Sequence, residues 1–152
     1  MLSGKLLAAG YRDLTVLDIS GNGLAAGRDR LGPAASQIEW IQADVCRFEP
    51  SRKWDLWHDR AVFHFLTMEE DRAAYRATLE RALAADGHVI LATFGPEGPT
   101  RCSGLEVRRY SEDMLTAELG PGFVLTGSCV EVHTTPSGAA QQFVCARFSR
   151  VV

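Results

Sequence analysis

The sequence has no long apolar segment and no cluster of basic residues. No stretch of its 152 residues approaches the ~18 consecutive apolar residues of a membrane span. Its 16 Lys and Arg are outnumbered by 19 Asp and Glu and are spread along the chain, which argues against nucleic acid bound through its phosphates. We therefore expect neither a membrane nor a nucleic acid as a partner.

The sequence also has few cysteines, and none of them forms a C-x-x-C pair. They are Cys46, Cys102, Cys129 and Cys145. This spacing suits reduced thiols in a cytoplasm, and it argues against a disulfide scaffold. The start of the chain has no basic leader and no cleavage site of small residues, so we do not interpret it as a signal peptide. The length predicts one domain, 1–152.

What the sequence does contain is an alternation of compact apolar runs with helical segments. The runs predict strands at 14–19, 38–43, 54–59 and 88–94. Helices are predicted at 3–9, at 20–31, from a capping box of Thr67 and Glu70 toward residue 85, and from Ser111 to Gly120. The segments 123–135 and 141–148 alternate in polarity and predict an antiparallel hairpin. The fold class is therefore α/β, with a mostly parallel sheet and an antiparallel C-terminal hairpin. The aromatic residues expected in the core are Tyr11, Phe63, Phe65, Phe94, Phe143 and Phe148.

Two acidic residues follow neighbouring predicted strands. Asp18 ends the strand 14–19, and Asp44 follows the strand 38–43. Ligands of parallel sheets bind beyond the carboxyl ends of the strands, where one carboxylate suits a ribose diol and the other an adenine amino group. The alternatives are that Asp18 caps the next helix and that Asp44 is an ordinary turn residue.

A base, an acid and a cation occur together in Trp57-His58-Asp59-Arg60, and His64 follows shortly after. Such a group at a strand end is typical of the floor of an active site. Alternatively, Trp57 belongs to the core, and His58 or Asp59 fixes the loop. We interpret His58, Asp59 and His64 as the candidate catalytic residues.

Taken together, these segments resemble the class I S-adenosylmethionine-dependent methyltransferases of the small, Rossmann-like type. The resemblance lies in their order and spacing, which cover nearly the whole chain from Ser3. Its segments are 8–20, 42–45, 54–66, 87–94, 102–105 and 109–111.

The resemblance implies methyl transfer from S-adenosylmethionine to a small-molecule acceptor. It implies that Asp18 holds the ribose hydroxyls and that Ile19 packs on the adenine. Asp44 would bind the adenine amino group, and the Val45 backbone N–H would donate to the ring. His58 would face the transferred methyl group.

The family's first strand and its Gly-rich loop do not occur in this sequence. That loop wraps the methionine half of the cofactor, so we expect weak or absent cofactor binding and doubtful activity. The missing strand would leave two unpaired strand edges, for which we consider three outcomes. The flanking strands could close on each other, two copies could form a homodimer, or the chain could be a fragment.

Three other functions remain open. An esterase-like hydrolase could use His58, His64 or His133 with Ser20, Cys102 or Ser103, although no G-x-S-x-G motif is present. A non-catalytic remnant could act by binding. A zinc site at Cys129, His133 and Cys145 is the least favoured, because these cysteines are better explained as small apolar residues of the core. We therefore predict no metal site.

Overall fold

The computed structural model describes residues 1–151 and contains four α-helices, eight strands and two 3-10 helices within them. The helices are α1 Leu2–Ala8, α2 Gly21–Leu31, α3 Glu69–Ala82 and α4 Glu112–Leu119. The strands are β1 Leu14–Asp18, β2 Ile38–Gln42, β3 Trp54–Arg60, β4 Leu83–Phe94, β5 Arg101–Cys102, β6 Leu105–Glu106, β7 Phe123–Thr134 and β8 Ala140–Arg150. The 3-10 helices are Gly32–Gln37 and Phe63–Phe65.

The chain divides into two compact units, Met1–Phe48 and Glu49–Val152. In the first unit, β1 and β2 pair in parallel, with Leu14 opposite Ile38 and Asp18 opposite Gln42. Helix α2 connects them and begins at the predicted cap, where the Ser20 hydroxyl accepts a hydrogen bond from the Gly23 N–H. This is the β-α-β connection predicted from the sequence.

In the second unit, four strands form a sheet in the order β3-β4-β8-β7. Strands β3 and β4 are parallel, while β4, β8 and β7 are antiparallel neighbours, which confirms the C-terminal hairpin. One face of this sheet is buried with α3, through fully buried side chains such as Tyr75, Leu79, Val89 and Leu91. Strands β5 and β6 form a separate two-stranded ribbon.

Strands β1 and β3 each lie at the edge of their sheet, with a hydrogen-bonded neighbour on one side only among residues 1–151. Within residues 1–151, β1 pairs with β2 alone and β3 with β4 alone. The sequence predicted an unpaired edge on each of these strands. None of the helices within residues 1–151 has the length and apolar character that a membrane span requires.

Three local predictions are wrong. Helix α3 begins after Met68, which makes no side-chain cap, so Thr67 and Glu70 form no capping box; the Thr67 carbonyl accepts a hydrogen bond from the Arg72 guanidinium instead. The helix ends at Ala82, because Leu83 turns into extended backbone and pairs opposite Trp54 of β3. Tyr11 is 60% exposed and does not lie in the core.

Candidate functional site

The carboxyl ends of β1 and β2 lie side by side. Because the strands are parallel and Asp18 is opposite Gln42, Asp18 and the segment entering Asp44 leave the sheet at the same edge. The Ala43 N–H donates to the Asp18 carbonyl at 3.1 Å, which extends the pairing by one residue. The sequence-predicted acids are thus brought to neighbouring strand ends within the first unit.

The side chain of Asp18 is held by the first turn of α2. Its Oδ1 accepts a hydrogen bond from the Ser20 N–H at 2.8 Å. Its Oδ2 faces Gly23, where an added Cβ would lie 3.4 Å from that oxygen. Within residues 1–151, Oδ2 accepts no hydrogen bond, and Asp18 is exposed. One carboxylate oxygen therefore fixes the turn, and the other can accept hydrogen bonds from a ligand.

The neighbouring residues offer an apolar surface and a second polar edge. Ile19 is 68% exposed, although it directly follows a strand. Asp44 accepts a hydrogen bond from the Cys46 N–H at 2.9 Å through Oδ1, and its Oδ2 lies 3.9 Å from Arg47 Nε. The Val45 side chain is buried, while its N–H donates to no group in the part of the chain that the structure describes. Two carboxylate acceptors, one backbone donor and an exposed apolar side chain suit a flat heterocycle joined to a diol, which is a nucleoside.

His58 and Asp59 do not converge on one point. They are successive residues of β3, so they face opposite sides of the sheet: His58 is exposed and Asp59 is buried. Partial burial lowers the pKa of His58, and the positive charge of Arg60 lowers it further, against a backbone hydrogen bond that raises it. A neutral imidazole on an exposed face can accept a proton.

Asp59 fixes the turn that follows β3. Its carboxylate accepts hydrogen bonds from the Val62 N–H at 3.0 Å, the Phe63 N–H at 3.2 Å and the Tyr75 hydroxyl at 2.7 Å. Burial raises the pKa of Asp59, and these three hydrogen bonds oppose that rise. The turn contains Ala61 at φ 64°, a backbone conformation that residues other than glycine rarely adopt. Nothing in the sequence marks the partnership with Tyr75, sixteen residues away, or the left-handed Ala61.

His64 connects three segments of the second unit. It is fully buried; its Nδ1 accepts a hydrogen bond from the Phe94 N–H at 3.2 Å, and its carbonyl accepts one from the Arg108 N–H at 2.8 Å. The ring proton therefore belongs on Nε2, which is buried and has no hydrogen-bond partner among residues 1–151. Burial lowers the pKa of His64 to about 4. This histidine is neutral at physiological pH, and its contacts position the end of β4.

The arrangement that a hydrolase needs is not assembled around these histidines. Within residues 49–151, neither His58 nor His64 hydrogen-bonds to Asp59, and neither bonds to Cys102 or Ser103. Asp59 is already engaged by two backbone amides and a phenol. The hydrolase alternative stays a prediction from the sequence.

A family model described as nodulation protein S (NodS) matches residues 3–102. The chain belongs to the nodulation protein S family. Curated relatives include nodulation protein S of Rhizobium fredii, 34% identical over 95 residues that span 60% of this chain and 51% of the relative. Another is nodulation protein S of Sinorhizobium fredii, 33% identical over 90 residues, or 57% of this chain and 40% of the relative. The chain thus spans about half the length of the curated relatives that it matches.

Solved structures show the same fold. The N-methyltransferase NodS from Bradyrhizobium japonicum superposes with a TM-score of 0.78 at 19% identity, covering 99% of this chain and 79% of that one. A Burkholderia thailandensis 1,6-didemethyltoxoflavin-N1-methyltransferase, solved with its substrate and S-adenosylhomocysteine, gives 0.74 at 17% identity, covering 99% and 66%. The class I methyltransferase fold expected from the sequence is therefore confirmed for this NodS family member.

Proposed function

We propose that this chain binds the adenosine half of S-adenosylmethionine at the carboxyl ends of β1 and β2. The observation that carries the proposal is the parallel pairing that brings Asp18 and Asp44 to one edge, with the exposed Ile19 between strand and helix. Asp18 would hold the ribose hydroxyls through its carboxylate, and Ile19 would pack on the purine. Asp44 and the Val45 N–H would take the adenine edge. The cofactor, when bound, supplies the methyl group.

We infer that the methyl acceptor is an amine on a small molecule. The support is membership of the NodS family, together with the solved NodS of Bradyrhizobium japonicum, which is described as an N-methyltransferase. Among the three predicted catalytic residues, His58 has an exposed ring whose lowered pKa keeps it able to accept a proton from such an amine. Asp59 and His64 would act through the backbone segments that they hold.

A calorimetric titration tests the adenosine site on this chain. Asp18→Asn retains the acceptor for the Ser20 N–H but removes the negative charge that strengthens bonds to a diol. We expect about tenfold weaker binding of S-adenosylhomocysteine, which corresponds to ~1.4 kcal/mol. Asp29→Asn makes the same charge change on an exposed position of α2 and serves as the matched control. Equal affinities of the two variants would refute the site.

The same titration with adenosine alone tests the sequence-based expectation about the methionine half. If the chain contacts mainly the nucleoside portion of the cofactor, adenosine and S-adenosylhomocysteine are expected to bind with similar, weak affinities. Tight, stoichiometric binding of S-adenosylhomocysteine, far above that of adenosine, would contradict the expectation that this chain makes few contacts with the methionine portion.

We also propose that two copies of the chain associate through strand edges. The support is that β1 and β3 each have a neighbour on one side only within residues 1–151, which leaves rows of backbone donors and acceptors available for pairing. Size-exclusion chromatography with light scattering is expected to give the mass of two chains. The mass of one chain across a wide concentration range would exclude this association.

We propose a cytoplasmic location. The support is that all four cysteines are free, since a reducing compartment maintains thiols in this state. Fractionation of cells that produce the protein, with a cytoplasmic and an exported marker, is expected to place it with the cytoplasmic marker. Recovery with the exported marker would contradict this location.

A further inference from the structure

The β7–β8 hairpin brings two cysteines directly opposite each other. In its antiparallel register, Cys129 pairs with Cys145. Glu131 is two residues beyond Cys129 on the same strand, so it faces the same side of the sheet. One ligand atom from each of these three residues lies within 4.8 Å of the other two. Contrary to the sequence-based view of these cysteines as buried apolar residues, Cys129 is exposed and Cys145 is half-buried.

We propose that Cys129, Cys145 and Glu131 form a binding site for a soft divalent cation, with zinc as the preferred metal. A tetrahedral zinc ion holds its sulfur ligands ~3.7 Å apart, given Zn–S bonds of ~2.3 Å. The three ligand atoms therefore need to approach by only about 1 Å, which rotation of the exposed Cys129 and Glu131 side chains supplies. Two thiolates and one carboxylate leave a fourth position for water, and thiolates disfavour magnesium and calcium.

The charges of the three ligands also favour a cation at this position. In their ligating forms Cys129, Cys145 and Glu131 are all anionic, and they would repel one another without a positive ion between them. A divalent cation between these groups would reverse the sign of that interaction, displacing one proton from each thiol as the two metal–sulfur bonds form.

Arg60 competes with the proposed cation for Glu131. Its guanidinium lies 3.7 Å from the Glu131 carboxylate and 4.5 Å from the centre of the Phe143 ring. Both charged side chains are about half exposed, so this ion pair is weak and can open. Removing Arg60 would free the carboxylate and remove a positive charge from the vicinity. The proposal therefore predicts opposite effects for Arg60 and for the three ligands.

The test is a titration of the full chain with Co²⁺ as a spectroscopic stand-in for Zn²⁺, under reducing conditions and after a thiol count confirms four free thiols. We expect one equivalent to give the near-ultraviolet charge-transfer absorbance of a cobalt–thiolate bond, and Zn²⁺ to displace it. Cys129→Ser is expected to abolish that absorbance, and Glu131→Gln to weaken binding about tenfold. Arg60→Gln is expected to strengthen it roughly threefold to tenfold.

The matched control is Cys46→Ser, which removes a half-buried thiol from the other unit and is expected to leave the titration unchanged. Because Cys129 is exposed, we expect the Cys129→Ser variant to fold, and circular dichroism verifies this independently of metal binding. The proposal is overturned if wild type with four free thiols gives no charge-transfer absorbance. It is also overturned if folded Cys129→Ser retains the signal, or if Arg60→Gln weakens binding.

Discussion

Replacement of Tyr75 by phenylalanine removes one hydroxyl group from the buried side of β3. That hydroxyl donates to Asp59 Oδ2 at 2.7 Å and accepts from Trp57 Nε1 at 2.8 Å. A hydrogen bond to a charged group contributes ~1.5–3 kcal/mol, and the indole N–H of the half-buried Trp57 loses its acceptor at a further cost of about 1 kcal/mol. The ring itself and its contact with Phe63 remain. We therefore expect Tyr75→Phe to lower the free energy of unfolding by about 3 kcal/mol.

Urea denaturation followed by circular dichroism measures this loss, and Tyr110→Phe is the matched control. Tyr110 is also fully buried and also contacts Phe63, but within the described chain its hydroxyl has no hydrogen-bond partner. Its removal is expected to leave stability unchanged or slightly higher. Losses that agree within about 0.5 kcal/mol for the two variants would refute the hydrogen-bond argument.

The pH dependence gives a second check on the same network. Burial raises the pKa of Asp59, and the Tyr75 hydrogen bond lowers it because the hydroxyl stabilises the charged carboxylate. As the pH falls toward that raised pKa, Asp59 takes up a proton and its need for the donor decreases. The difference between wild type and Tyr75→Phe is therefore expected to shrink in acid. A constant difference would show that the carboxylate is not involved.

Three further changes test other parts of the second unit. The pKa of His64 falls from 6.5 to about 4 on folding, so the free energy of unfolding is expected to decrease as the pH drops from 6.5 to 4, by up to about 2 kcal/mol when solvent screening is included. His64→Asn should make the free energy of unfolding less dependent on pH in this range. An unchanged pH dependence would contradict the lowered pKa of His64. Gly98→Ala places a Cβ 2.7 Å from a backbone carbonyl oxygen and should lower the stability measured by calorimetry by ~1–3 kcal/mol. Gly122→Ala should cost little, because the added Cβ meets no atom of the described residues within 4 Å. Glu118→Gln leaves three guanidinium groups without their shared carboxylate and should cost ~3–5 kcal/mol in the same denaturation; a loss below 1 kcal/mol would show that the ion pairs are replaceable.

Periodicity and turn chemistry predicted most of the fold. The apolar runs predicted β1 to β4, and the Ser20 and Ser111 caps predicted the starts of α2 and α4. The alternating polarity of 123–135 and 141–148 predicted the final hairpin. Local signals failed where a distant partner decided the conformation. The sequence predicted that α3 runs toward residue 85, but the helix ends at Ala82 because Leu83 pairs with β3.

The candidate site was predictable in part for the same reason. Asp18 and Asp44 follow adjacent strands of a β-α-β unit, so their proximity follows from topology alone. The surroundings of Asp59 and His64 do not follow from the sequence. They depend on Tyr75 and the Phe94 backbone, which approach from other elements of the second unit. A pattern of residue types along one strand carries no information about which face is later covered.

The turn after β3 has a consequence for any molecule that binds beside it. Ala61 at φ 64° stores conformational energy of order 1 kcal/mol, and the Asp59 carboxylate holds this shape through the amides of Val62 and Phe63. The loop is therefore ordered before a ligand binds, and binding against it restricts few additional backbone rotations. More of the contact energy then remains as affinity than at a loop that must first become ordered.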